Sequence, residues 1–396
     1  MPAYRLPYGK THLTVTLPGD LDVTVIAPRD ADPAPDLPAA TAAALRDLLG
    51  TVDADALPRV RTAALALSDK TRPLSQAVLR AALAWLEQAG LRPEAITLLI
   101  ASGTHTPMTP DEFPQVLPPD LLARHPVISH DCDDRVALRY LGETPRGTPV
   151  WINRAFLAAD LRVVMGNIEA HQFMGFSGGV KGAAIGLAGR ETVSTNHALM
   201  RDPAARAART DDNPARQDVE DIGRLTGVHL AVNAVLNRDK QVVRVLAGEP
   251  LAVMRAGIPL VRALVEVPVP APFDLVIAAP GGHPKDLNLY QAQKALAHAA
   301  PVVRDGGVVI VVAACGEGAG SAAYEAWMVG MTSHQAVLER FAREEFRLGP
   351  HKAFQIARDA IRLREVLLVT EMPPEQVRHA LLTPAASLDE AVARAL

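Results

Sequence analysis

Between Gly166 and Met200 the chain reads GNIEAHQFMGFSGGVKGAAIGLAGRETVSTNHALM, its densest concentration of chemically useful side chains. His171, Lys181 and His197 fall within a few turns of backbone, two imidazoles and a primary amine. An imidazole takes or gives a proton near neutral pH. An amine kept neutral by burial becomes a nucleophile or a covalent anchor. Glycines at 175, 178, 179 and 182 remove side-chain bulk where a cofactor must approach the main chain closely. A core helix needs none of these features.

The turn GFSGGVKG, residues 175–182, invites comparison with a phosphate-binding P-loop, but the pattern fails. Val180 stands where the second glycine belongs, and Gly182 replaces the serine or threonine. Backbone N–H groups of a glycine-rich turn still offer donors to a phosphate. Two other polar loops carry candidate chemistry. SDKTRP, residues 68–73, supplies Asp69, Thr71 and Arg72, either as an anion-recognising guanidinium or as an ordinary helix cap. GTHT places His105 directly after an apolar run, where a lone histidine also has a structural reading. HDCDD, residues 130–134, lacks metal-ligand spacing and reads as a polar loop. GEGAG, residues 316–320, lacks the dinucleotide fingerprint. Gln291 and Lys294, three apart in LYQAQKAL, share a helix face and by themselves read as a surface pair.

The elements that must position these residues follow from periodicity. Residues 11–27 alternate as two strands around a Pro-Gly turn. A helix is predicted over 38–49, a buried strand over 61–67, an amphipathic helix over 74–90 and a strand over 96–101. Another strand, 161–165, leads into the glycine-rich segment, and residues 201–218 read as a polar loop or short helices. After the proline-rich VEVPVPAPF near residue 270, read as a linker, comes a second strand–turn–helix–strand unit over 275–279, 288–299 and 307–313. Strand, polar loop, helix is the rhythm of α/β folds, whose ligands collect at the carboxyl ends of parallel strands. SDKTRP and SGTHT both fall at such ends. The expectation is α/β with two domains, 1–268 and 269–396, each a mainly parallel sheet flanked by helices.

Composition excludes several classes. The chain has 396 residues and net charge −4, so it has no basic footprint for nucleic acid. No apolar run reaches the roughly 20 residues that span a bilayer. Two cysteines cannot build a disulfide framework. MPAYRLPYGKTHLTV at the start reads as the beginning of a strand rather than a signal peptide. A cytoplasmic protein is expected; the oligomeric state is not read from the sequence.

Taken together, SDKTRP, SGTHT, IEAHQF-GFSGG-K, STNH and GGHPKDLNLYQAQKAL, in that order over nearly the whole chain, resemble the nickel-dependent lactate racemase family. The resemblance implies a nickel-pincer nucleotide, a pyridinium mononucleotide whose sulfur groups hold nickel, made by cofactor-maturation enzymes. By the same resemblance Lys181 bears the cofactor through a thioamide bond, His197 completes nickel coordination, and Ser177, Gly178 and Gly179 meet the phosphate. His105 and His171 match the acid/base pair. Arg72 and Lys294, with Gln291, Tyr290 and Asp69, match the substrate-binding set. The implied reaction inverts C2 of a 2-hydroxy acid, by reversible hydride transfer to the cofactor while a histidine holds the hydroxyl proton. An active site in the interdomain cleft is implied as well. Thr106 stands where the lactate enzymes often carry arginine, which opens the substrate to related 2-hydroxy acids. Two other readings of the residues compete: an enzyme without nickel that uses Lys181 as a Schiff-base amine or the turn as a nucleotide-phosphate site, and a cofactor-less carboxylate-binding protein.

Overall fold

A computed structural model describes residues 2–50, 59–72 and 74–396; Pro73, which closes the SDKTRP motif, lies outside the described residues. The chain divides into two compact units, Ala27–Val267 and Met1–Ile26 with Pro268–Leu396. Among the described residues no helix is long and apolar enough to cross a membrane.

In the first unit, the run Ala63–Ser68 is apolar and buried from Ala63 through Leu67, as a parallel strand covered on both faces must be. Among the described residues its sheet has the order Val242–Gly248, Leu230–Leu236, Leu161–Ile168, Ala63–Ser68, Ile96–Ala101, Val127–Ser129. All neighbours are parallel except the antiparallel edge strand Val242–Gly248. Helix Gln76–Gln88 covers one face, burying Val78, Leu79, Ala82, Leu83 and Leu86 at helical spacing. From Ala63–Ser68 the chain first builds outward through Ile96–Ala101 to Val127–Ser129. It then returns to the other side with Leu161–Ile168. The gap beyond the carboxyl ends of Ala63–Ser68 and Leu161–Ile168 is therefore a topological switch point, where open α/β sheets bind ligands. The segment Glu169–Met200 grows out of it.

Residues 201–218, expected as a loop or short helices, contain the start of a long helix, Pro214–Thr226. Asn213 caps it and Pro214 occupies its first turn, where the missing N–H costs nothing. Its inward face includes the buried polar residues Arg216 and Asp218, so apolar periodicity does not reveal it.

The second unit has a parallel sheet in the order Phe273–Ala278, Val303–Val312, Glu365–Val369, Thr383–Ala385. The chain divides after Val267, beside the predicted linker. Two expectations are corrected here. The N-terminal strands are Ala3–Tyr8 and Thr11–Thr16, paired antiparallel, and not two strands within 11–27. They turn at Gly9, whose φ of +52° suits glycine, while Pro18 and Gly19 lie beyond the hairpin. Residues 1–26 also belong to this unit and not to a domain spanning 1–268. Val15 and Leu17 share a core with Val308, Ile310, Val312, Leu367 and Val369. The buried Asp286 carboxylate accepts the N–H groups of Gly9 (2.6 Å) and Ala314 (3.2 Å). Val15→Ala is expected to cost about 2 kcal/mol. Hydrogen exchange should quicken in Val303–Val312 and not in Ala63–Ser68; the reverse pattern would contradict this packing.

Candidate active site

The loop after Ala63–Ser68 holds Asp69, nearly buried, whose Oδ1 accepts the Thr71 N–H (3.0 Å) and hydroxyl (2.5 Å). Its Oδ2 lies 2.7 Å from Nδ1 of His105, which sits on the loop after Ile96–Ala101. Burial pushes the Asp69 carboxyl up, but the hydrogen bonds from His105 and Thr71 outweigh it and hold the group below its ordinary range. An ionised carboxylate only accepts, so Nδ1 of His105 carries a proton, and in the neutral ring the lone pair is on Nε2. The His105 side chain is 61% exposed and can meet a substrate. Asp69 was expected among the substrate-binding residues; in the structure its carboxylate is bonded to His105 and Thr71. Gly103, with φ +57°, donates to the Gly186 carbonyl (2.9 Å) and ties this loop to the end of the short helix Lys181–Ala184. Asp69→Asn should lower turnover roughly tenfold, the low end for a residue that orients a reacting group. The loss should be non-additive with His105→Ala, since the two act as one unit. Full additivity in a double-mutant cycle would separate them.

After Leu161–Ile168 the chain makes a tight hairpin, Ala170–His171 against Gly175–Phe176. The Met174 N–H donates to Nδ1 of His171 (3.3 Å). The buried Phe173 ring lies edge-on between two imidazoles, 4.9 Å from His171 and 5.1 Å from His197, measured between centroids. His197 projects from helix Arg190–Ala198. That helix is anchored at its start by Arg190, which pairs with Asp133 through two bonds (2.7 and 2.6 Å). The HDCDD loop thus acts as a pin. The ligand atoms of Asp131, Cys132 and Asp133 lie within 4.8 Å of one another, but Asp133 is committed to Arg190. His130 is buried; it bonds to the Ala188 carbonyl and Asn153, and burial lowers its pKa, so it is neutral.

Gly179, with φ +56°, lies where an added Cβ would fall 2.7 Å from Met254 Cγ, so a side chain does not fit. Its N–H donates to Asn233 Oδ1 (2.7 Å). The Ser177 hydroxyl bonds to the Asn167 carbonyl and accepts the Glu169 N–H, both at 3.1 Å. Two of the three residues expected to meet a phosphate thus make bonds that shape the turn itself. Lys181 follows. Part of its surface is solvent-accessible, yet protein crowds it on all sides. This desolvation first, then the charges of Arg72 and Arg216, push its ammonium down to about 7. Asp69, Arg72, His105, His171, Lys181 and His197 all belong to the unit Ala27–Val267.

Tyr290, Gln291 and Lys294 lie in the other unit on helix Leu289–Ala299, capped by Asn288. Lys294 donates to Gln291 Oε1 (2.6 Å), so the two sequence-predicted residues do pair. The GEGAG loop serves this helix, since the Gly318 and Ala319 carbonyls accept the N–H groups of Leu289 and Tyr290 (both 3.0 Å). Burial raises the Tyr290 hydroxyl pKa. The sequence did not reveal the neighbours of Tyr290. Lys352 places Nζ 4.7 Å from the centre of its ring, and His351 meets it edge-on; both come from helix His351–Ala360. Their signal is two basic residues on a buried face, visible only once the helix is placed.

Two imidazoles around one aromatic ring, a third imidazole oriented by a carboxylate and a lysine with a depressed pKa mark an α/β enzyme of acid/base or covalent chemistry, sited at a sheet switch point. The comparisons make the class specific. Residues 8–208 match the model of the lactate racemase N-terminal domain and residues 269–396 that of the lactate racemase C-terminal domain. The chain belongs to the lactate racemase family, and it is an isomerase. It is 26% identical over 396 residues to a lactate racemase of Thermoanaerobacterium thermosaccharolyticum, covering 98% of this chain and 93% of that one. It is 31% identical over 255 residues to a lactate racemase of Lactiplantibacillus plantarum, covering 64% and 60%. The structure of the T. thermosaccharolyticum lactate racemase apoprotein superposes with a TM-score of 0.92 at 28% identity, covering 100% of this chain and 94% of that one.

Proposed function

We propose that this protein interconverts the enantiomers of a 2-hydroxy acid, lactate or a close relative, with a nickel-pincer nucleotide attached to Lys181. The observation that carries this reading is the Lys181 amine, held near neutrality beside Arg72 and Arg216 at the sheet switch point. The donor set fits the cofactor. A neutral amine forms a thioamide, and an imidazole such as His197 suits nickel. When bound, the cofactor supplies a hydride acceptor. His105 Nε2 and the His171 ring are the groups that hold the hydroxyl proton of substrate, one for each enantiomer. Arg72 and Lys294 offer cations to the carboxylate, with Tyr290 and Gln291 beside Lys294. Lys294→Ala is expected to raise KM for the hydroxy acid at least tenfold without altering the mass increment that the cofactor adds. An unchanged KM would remove Lys294 from substrate binding. Thr106, an exposed residue beside His105, leaves the substrate side chain open.

Intact mass and nickel content, measured on protein co-expressed with the maturation enzymes, test the reading directly. An increment equal to the pincer nucleotide, with nickel, supports it. An apoprotein mass, when a lactate racemase control is loaded, overturns it. The depressed Lys181 pKa also suits a Schiff base. Borohydride trapping of a keto acid on metal-free protein would favour that second reading.

A further inference from the structure

We propose that helix Pro214–Thr226 sets the geometry and reactivity of the Lys181 amine, with Arg216 as its positioning residue. The helix touches the reaction-centre segment at four places. Asn213, its cap, donates to the Phe173 carbonyl (2.8 Å), at the ring that separates His171 from His197. Arg216, 3% exposed, donates from Nη1 to the carbonyls of Phe176 (3.0 Å) and Gly178 (3.3 Å), on the turn that leads to Lys181. Asp218, fully buried, accepts from Asn196 (2.9 Å), the residue before His197, and from the hydroxyls of Thr144 (2.6 Å) and Thr148 (2.9 Å). Gly223 lies where a Cβ would fall 2.5 Å from Val180, so only glycine lets the helix approach the residue preceding Lys181.

These contacts differ in kind from core packing. A buried polar side chain that bonds a loop carbonyl fixes that loop in one place, because losing the bond strands both groups away from water. Arg216 adds a fixed positive charge near the amine, which disfavours a second positive charge there. Its own counter-charge is Glu220, one turn along the same helix. Arg72 is the other cation that bears on the amine. The helix therefore acts on Lys181 through the position of the turn and through the charge beneath it.

The test uses the full-length apoprotein and an amine-acylating reagent, acetyl N-hydroxysuccinimide, with labelling of Lys181 read by peptide mass spectrometry across pH. In the unaltered protein Lys181 should label half-maximally near pH 7. Arg216→Met should raise this midpoint by about one unit, hence about fivefold slower labelling at pH 7. Glu220→Gln, which removes the counter-charge and keeps the shape, should move the midpoint the other way. Lys10 should keep its rate in both variants, which a general loosening of the fold would not explain. If Arg216→Met does not unfold cooperatively, Glu220→Gln alone decides. A midpoint unmoved in the folded variants overturns the proposal. Cofactor attachment is a separate arm. An unaltered protein that labels as expected but never gains the nucleotide mass would remove Lys181 as the attachment point, while the inference about its amine would stand.

Discussion

Lys181→Ala should leave a folded protein that never gains mass on co-expression with the maturation enzymes and shows no racemisation above background. The substitution removes the amine and nothing that the fold needs. Lys181 opens a four-residue helix, and the contacts that seat that helix come from its neighbours: Val180 against Gly223, and the buried Ala183 and Ala184. Desolvating an ammonium is unfavourable, so losing this one costs the fold little. Lys181→Arg is the sharper control. It keeps a cation, but a guanidinium stays protonated and does not form the linkage, so it too should remain at the apoprotein mass. An adduct on either variant would place the attachment elsewhere. Full activity without an adduct would remove covalent attachment from the mechanism.

Asp69 and His105 were legible as candidates because each sits in a polar loop that interrupts an apolar run. Ala63–Ser68 and Ile96–Ala101 are nearly continuous apolar strands, so the loops carrying Asp69 and His105 stood out and their place at strand ends followed. What the sequence did not disclose is non-local. The Asp69–His105 bond joins positions 36 residues apart, and nothing in SDKTRP distinguishes a carboxylate that orients an imidazole from one that meets substrate. Helix Pro214–Thr226 was hidden because its buried face carries Arg216 and Asp218, which a hydrophobic pattern counts as solvent-facing. Helix His351–Ala360 was missed for the same reason, since it buries His351, Lys352, Gln355 and Asp359. The N-terminal hairpin was misplaced because Pro18–Gly19 is the stronger local turn signal. Gly9 is the actual turn, and a core shared with strands some 300 residues later fixes the pairing. Local signals located the chemistry; buried polar groups and distant packing position it.

Those buried contacts also bear on the two histidines proposed as acid and base. His105→Ala and His171→Ala should each lower racemisation by about a thousandfold while leaving the cofactor's mass increment unchanged, within the range for losing a general acid or base. The bonds at Nδ1 favour different tautomers on the two rings. His105 donates its Nδ1–H to Asp69, and in the neutral ring the Nε2 lone pair can accept. His171 receives the Met174 N–H at Nδ1, which puts its own proton on Nε2, where it can donate. In the proposed reaction one ring would take the hydroxyl proton of one enantiomer and the other would supply a proton to its mirror image. Because the two products have equal free energy, kcat/KM in the two directions must stay equal in every variant. Each substitution therefore slows both directions alike, and what separates the histidines is how the loss divides between kcat and KM for each enantiomer. Removing His105 should act chiefly on kcat for the enantiomer whose hydroxyl faces it, and removing His171 chiefly on kcat for the other. Chiral chromatography of initial rates from pure D and pure L substrate measures both. Wild-type rates in either single variant, or the same kcat/KM split in both, would contradict a two-base assignment.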